Sequence, residues 1–115
     1  MPSLYVVVKY GDLFRGECLN LGVFSYNVDP DIKEVHSKFL TNLSRIEAVF
    51  GWKDTIMESL FNEWLVKIKT KSELEDAIKR SNSPYSSLQF TPPHASLDED
   101  AEQLVKDMAS IFLVE

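Results

Sequence analysis

Residues 5–23, YVVVKYGDLFRGECLNLGV, restrict this chain more than any other stretch. Val6, Val7 and Val8 are β-branched, and apolar residues fill both parities of residues 4–10 except at Lys9. That pattern predicts a strand covered on both faces over much of its length. Gly11-Asp12 opens a loop and Gly16 closes it, so residues 17–28 return as a second strand. Along this arm Leu19, Leu21 and Val23 share one face, whereas Phe24, Tyr26 and Val28 share the other. The apolar set therefore changes parity near Gly22, which predicts a β-bulge or a close backbone approach there. The same arm carries Glu17, Asn20 and Asn27 among apolar neighbours. Polar groups on a buried strand need partners, because an unsatisfied buried amide costs about 1–3 kcal/mol.

The rest of the chain alternates between the two periods. Asp29-Pro30-Asp31 is a turn; in residues 32–40 Val35, Ser37 and Phe39 alternate while Ile32, Val35 and Phe39 also fit a helix, and the hairpin-like turn before them favours a third strand. Leu43, Ile46, Val49 and Phe50 line a short helix that Gly51 ends. Residues 54–68 carry a wide apolar stripe through Ile56, Leu60, Phe61, Trp64 and Ile68, that of a central helix. Ser72 and Glu75 have the spacing of a capping box and start a short helix through Ile78. Leu88 and Phe90 alternate with Gln89 and Thr91 in a short strand, which Pro92-Pro93 terminates. Ser96 and Glu99 form a second capping box before a helix that buries Ala101, Leu104, Val105, Met108, Ile111 and Phe112. These elements predict one α+β domain over residues 1–115. Its antiparallel sheet has three to four strands, with helices packed on one face and the last helix docked across it.

Charge narrows the classes of partner. The net charge is −6, and residues 92–115 account for −5 of it, with one basic and six acidic side chains. Nonspecific nucleic-acid binding depends on a basic face that displaces phosphate counterions, so no nucleic-acid partner is expected. No apolar run approaches the ~20 residues of a membrane span. The first residues lack a basic start followed by a signal-type apolar stretch. These features predict a cytoplasmic protein without a membrane partner. Cys18 is the only cysteine and reads as a small buried hydrophobe.

Catalytic motifs are missing from the sequence. It has no Walker loop, GxGxxG, HExxH, GxSxG or CxxC pattern. His36 and His94 fall in different elements with no carboxylates at ligand spacing, so neither a metal nor a cofactor is expected. Arg15, Glu17 and Asn20 are the best candidates for a polar ligand site, at the edge of the hairpin. Trp52 and Trp64 are candidate interface anchors, because the helix over residues 54–68 is apolar over more than a core-facing stripe.

The YVVVKY start, the R-G-E-x-x-N-x-G-V core from Arg15 to Val23, and the LQFTPP element of residues 88–93 together resemble the bacterial domain-of-unknown-function family DUF 3037. The resemblance runs in order over nearly the whole chain. Members of that family are often encoded beside HipA-like kinases. The resemblance thus implies a regulatory or partner-binding role, in a defence or toxin–antitoxin setting, by association alone. The expected function is a non-catalytic protein-interaction domain whose partner is another protein, such as a HipA-like kinase, or a second copy in a homodimer. The alternative is a small-molecule-binding or enzymatic domain built on Arg15, Glu17 and Asn20.

Overall fold

The computed structural model describes residues 1–12, 17–40, 65–81 and 88–113. Arg15, Trp52, Trp64, the helix expected over residues 43–50 and most of the one over 54–68 lie outside them. The described elements are β1 (Ser3–Asp12), β2 (Glu17–Asn27), β3 (His36–Phe39), a 3-10 turn (Leu65–Lys67), α1 (Lys71–Ser81), β4 (Leu88–Phe90), β5 (His94–Ser96) and α2 (Ala101–Phe112). The expectation of a helix running through Ile68 fails at its end. From Leu65 the chain makes a single 3-10 turn, and Ile68 is already outside it.

All strand pairings are antiparallel, in the order β3-β2-β1-β4, with β5 on β1 as well. The fold is therefore α+β, as expected, but the sheet has five strands rather than three to four. The additional strand, β5, is in effect a continuation of β4. Phe90 pairs with Val8 and His94 with Tyr5 along the same edge of β1. Between these pairs Thr91 holds Val7 twice: its N–H donates to the Val7 carbonyl at 2.9 Å, and its hydroxyl accepts from the Val7 N–H at 2.9 Å. Pro92 and Pro93 follow at the place where the ladder is interrupted. Proline breaks the ladder there, because it has no N–H to give, without turning the chain away from β1.

The predicted irregularity in β2 is a bulge. Val8 faces Gly22 and Lys9 faces Asn20, which leaves Leu21 as the extra residue. The bulge therefore lies one residue before Gly22. It lets Leu21 join Phe24 and Tyr26 in one apolar cluster despite the odd spacing. Gly22 itself meets β3 closely. A Cβ there would stand 2.8 Å from Phe39 Cε1 and 3.0 Å from the Lys38 carbonyl oxygen. Only a residue without a side chain fits.

Alternation along β1 separates two cores. Val6, Val8 and Tyr10 cluster with Phe24, Phe90, Leu65, and Leu74 and Ala77 of α1. Val7 clusters with Val23 and Val105, against which Tyr5, Met108 and Phe112 pack. Residues of α1 lie in the first cluster and residues of α2 in the second, so the described residues do not bear out the expected packing of helices on one face, and the split explains why three consecutive valines are all buried. Each buried valine contributes about 1.5–3 kcal/mol.

Both expected capping boxes are displaced. Thr70, not Ser72, caps α1: its hydroxyl accepts from the Glu73 N–H at 3.3 Å, and Glu73 Oε1 accepts the Thr70 N–H at 3.1 Å. Thr70 is held extended by an antiparallel bridge to Glu34, which sets the point where the helix can begin. Asp100 caps α2, accepting from the N–H groups of Glu102 and Gln103 at 3.1 and 3.3 Å. Ser96 lies too far before Ala101 to cap α2, and its hydroxyl instead accepts from the Asp98 N–H at 3.2 Å in the turn that precedes the helix.

Candidate functional site

Asn20 is half-buried, pairs with Lys9 across the bulge, and donates its side-chain amide to the Phe112 carbonyl at 3.1 Å. That carbonyl is among the last of α2, which have no partner within the helix. Asn20 thus ties β2 to the end of α2. Glu17 pairs with Asp12 at the hairpin's end, and Arg15 lies outside the described residues. A grouping of the three expected ligand residues lies outside what the described residues cover, and Asn20 has a structural task of its own.

Other polar side chains on the same face are equally committed. The Ser25 hydroxyl donates to the Ala101 carbonyl. Asn27 Nδ2 donates to the carbonyls of Met1 and Glu99, each at 2.9 Å, and its Oδ1 accepts from the Asp29 N–H at 2.9 Å. The start of α2 is therefore latched to β2 through side chains. His94 stacks on Tyr5 with ring centroids 5.3 Å apart, whereas His36 belongs to β3 at the opposite edge of the sheet. Two intervening strands at ~4.8 Å spacing keep the two imidazoles from acting on one substrate. Among the described residues no group of three His, Cys, Asp or Glu side chains could hold a metal ion. No described helix is long and apolar enough to cross a membrane.

A concavity bounded by described residues lies along the outer edge of β3. Residues 33–35 pair on that edge with 69–71: Val35 N–H donates to the Lys69 carbonyl and Lys71 N–H to the Lys33 carbonyl, both at 2.9 Å. Before Lys69 the chain departs into the 3-10 turn. A groove of about 600 Å³ opens where it leaves, bounded by Ser37, Lys38 and Phe39 on one side and by Lys106, Ala109 and Leu113 on the other, with Val66 and Lys69 at its mouth. A narrower end of about 270 Å³ continues past His36 and Glu102.

Hydrogen-bond parity decides what β3 offers this groove. Leu40 N–H donates to the Leu21 carbonyl at 2.8 Å, which makes Lys38 opposite Val23 and His36 opposite Ser25 the other hydrogen-bonded pairs. The backbone groups of Ser37 and Phe39 then point away from β2, on the same side as the Val35 N–H that Lys69 accepts. Among the described residues no backbone group meets Ser37 on that side.

The groove is also basic. Lys38, Lys69 and Lys106 all line it, in a chain of net charge −6. Lys106 makes an exposed 4.0 Å contact with Glu102, whereas Lys38 and Lys69 form no ion pair among the described residues. The sequence carries no local signal of this cluster, because the three cations come from a strand, a loop and a helix.

Compared with known protein families, curated proteins and solved structures, the chain matches none.

Proposed function

We propose that this chain is a non-catalytic protein-interaction domain and that the groove between β3 and α2 is where it meets its partner. The observation that carries this reading is an edge strand whose outward backbone faces an open, basic groove. Exposed strand edges are templates for another chain unless the fold covers them. The polar site expected around Arg15, Glu17 and Asn20 has less in its favour, since the Asn20 amide is already bound to Phe112. The regulatory role and the link to a HipA-like kinase belong to this proposal through the resemblance to DUF 3037, and a cytoplasmic setting belongs to it through the lack of a signal-type start in the sequence.

A photo-crosslinking residue in place of Val66, which is exposed at the groove's mouth, tests the reading in native cells. The expected result is one protein adduct that disappears when Lys38→Glu and Lys69→Glu are combined. An adduct pattern indifferent to that pair, or none, overturns the groove as an interaction site.

A further inference from the structure

We infer that the groove takes an extended acidic segment of a partner protein, added as a strand to the outer edge of β3. This rests on the proposed function and names the chemistry of the partner.

The backbone supplies the first argument. Residues 69–71 already begin a strand on this edge, with two 2.9 Å hydrogen bonds around the Glu34–Thr70 bridge. The chain then turns off through Leu65–Lys67 and leaves the ladder unfinished at Ser37. An incoming strand continues the same ladder and meets the Ser37 N–H and carbonyl in the orientation antiparallel or parallel pairing requires.

Charge complementarity supplies the second. Three lysines converge on the groove, and two of them have no ion pair among the described residues. In a chain with six more acidic than basic side chains, this is an attractive spot for carboxylates within a field that repels them elsewhere. Sheet geometry then fixes the pattern of the segment. Lys38 lies on the α2 side of β3, with Lys106 and Ala109 beyond it, whereas Phe39 packs on the core of the other face. Successive side chains of an added strand alternate between these sides. The segment therefore alternates acidic residues, turned to Lys38 and Lys106, with apolar ones turned to Phe39.

A second copy of this chain does not supply such a segment from its described residues. Its described acidic residues do not alternate with apolar ones along a free strand: Asp12 and Glu17 face each other at the end of the β1–β2 hairpin, Glu34 is bridged to Thr70, and the others lie in turns, at the start of α2 or on the two helices. A nucleic acid brings charge but no peptide ladder.

Fluorescence anisotropy with a labelled peptide of alternating glutamate and valine tests the inference. Saturable binding is expected, weakening by about tenfold or more when Lys38→Glu and Lys69→Glu are combined, and weakening with added salt. A peptide with lysine in place of glutamate is expected not to bind. Ser37→Pro removes the outward N–H without taking a donor from β2, because this residue does not donate to β2, and it is expected to abolish binding; a thermal melt reads whether the strand accepts the fixed φ of proline. If that variant fails to fold, a peptide N-methylated at alternate residues on the unaltered protein reads the same hydrogen bonds, and one of its two registers must lose binding. Equal binding of the methylated peptides, equal binding of single-stranded RNA, or a groove-dependent homodimer in light scattering would each overturn the acidic strand. Absence of peptide binding while the Val66 crosslink persists overturns the occupant alone; loss of both overturns the interaction reading too.

Discussion

The side-chain amide of Asn20 donates to the carbonyl of Phe112, 3.1 Å away in space and 92 residues along the chain. A bulge at Leu21 sets it up: in a regularly alternating strand Asn20 would share the face of Gly22 and Phe24, opposite to α2. Asn20→Ala leaves this carbonyl without its donor and is expected to cost about 1–3 kcal/mol. Urea denaturation measures the loss, and hydrogen exchange should place it at the last turn of α2. An unchanged stability would return Asn20 to the candidates for ligand binding.

Gly22 is held against β3 by contact, not by an unusual backbone angle. Gly22→Val drives a side chain into the Phe39 ring and the Lys38 carbonyl. Overpacking of this kind costs about 1–3 kcal/mol. Pairing it with Phe39→Ala relieves the ring but not the carbonyl, so a thermal melt of the double variant is expected to recover part of the loss.

The two caps separate sequence pattern from structure. Thr70→Ala and Asp100→Ala are each expected to lose about 1 kcal/mol, while Ser72→Ala and Ser96→Ala change stability by no more than a few tenths as cap residues. Chemical denaturation of the four variants gives the ranking, and a larger effect at Ser72 than at Thr70 would contradict the assigned cap.

Tyr26 predicts an alkaline limit. Burial pushes its hydroxyl above the ordinary phenol range, and the Glu75 carboxylate adds to the shift. A group whose folded value is raised contributes fully below its unfolded value near 10, and that contribution is lost as pH rises through the higher folded value. Stability should therefore fall in this window, and Tyr26→Phe should flatten the fall. Denaturant midpoints across the alkaline range check it; an equal slope in both proteins would remove Tyr26 as the cause.

How much of this was legible depended on whether the signal was local. The hairpin, the parity change at Gly22 and most of the stripe of α2 are properties of neighbouring residues and have counterparts in the structure, but Ile111, expected in that stripe, is 62% exposed and Ala109 is buried instead. The capping boxes fall elsewhere because three S/T-x-x-E patterns lie close to the right positions, and the points where the helices begin, after the Glu34–Thr70 bridge and at Ala101, are set by tertiary pairing that the local pattern does not carry. Strand β5 was hidden by Pro92-Pro93, which interrupt a ladder without ending the run beside β1. The groove was illegible for the same reason in stronger form, since Lys38, Lys69 and Lys106 become neighbours only after the sheet and α2 meet.

Strand β1 takes β2 on one edge and both β4 and β5 on the other, and the second set comes from more than 75 residues later, as the Val8–Phe90 and Tyr5–His94 pairs show. During synthesis this valine-rich strand must therefore wait, one edge bare, until residues 88–96 have left the ribosome. Long-range closure of this kind is slow, and a bare valine-rich edge invites pairing with the wrong chain. A nascent chain stalled before residue 88 should accordingly be a strong client for chaperones, and late translation is the interval in which this protein is most exposed to aggregation.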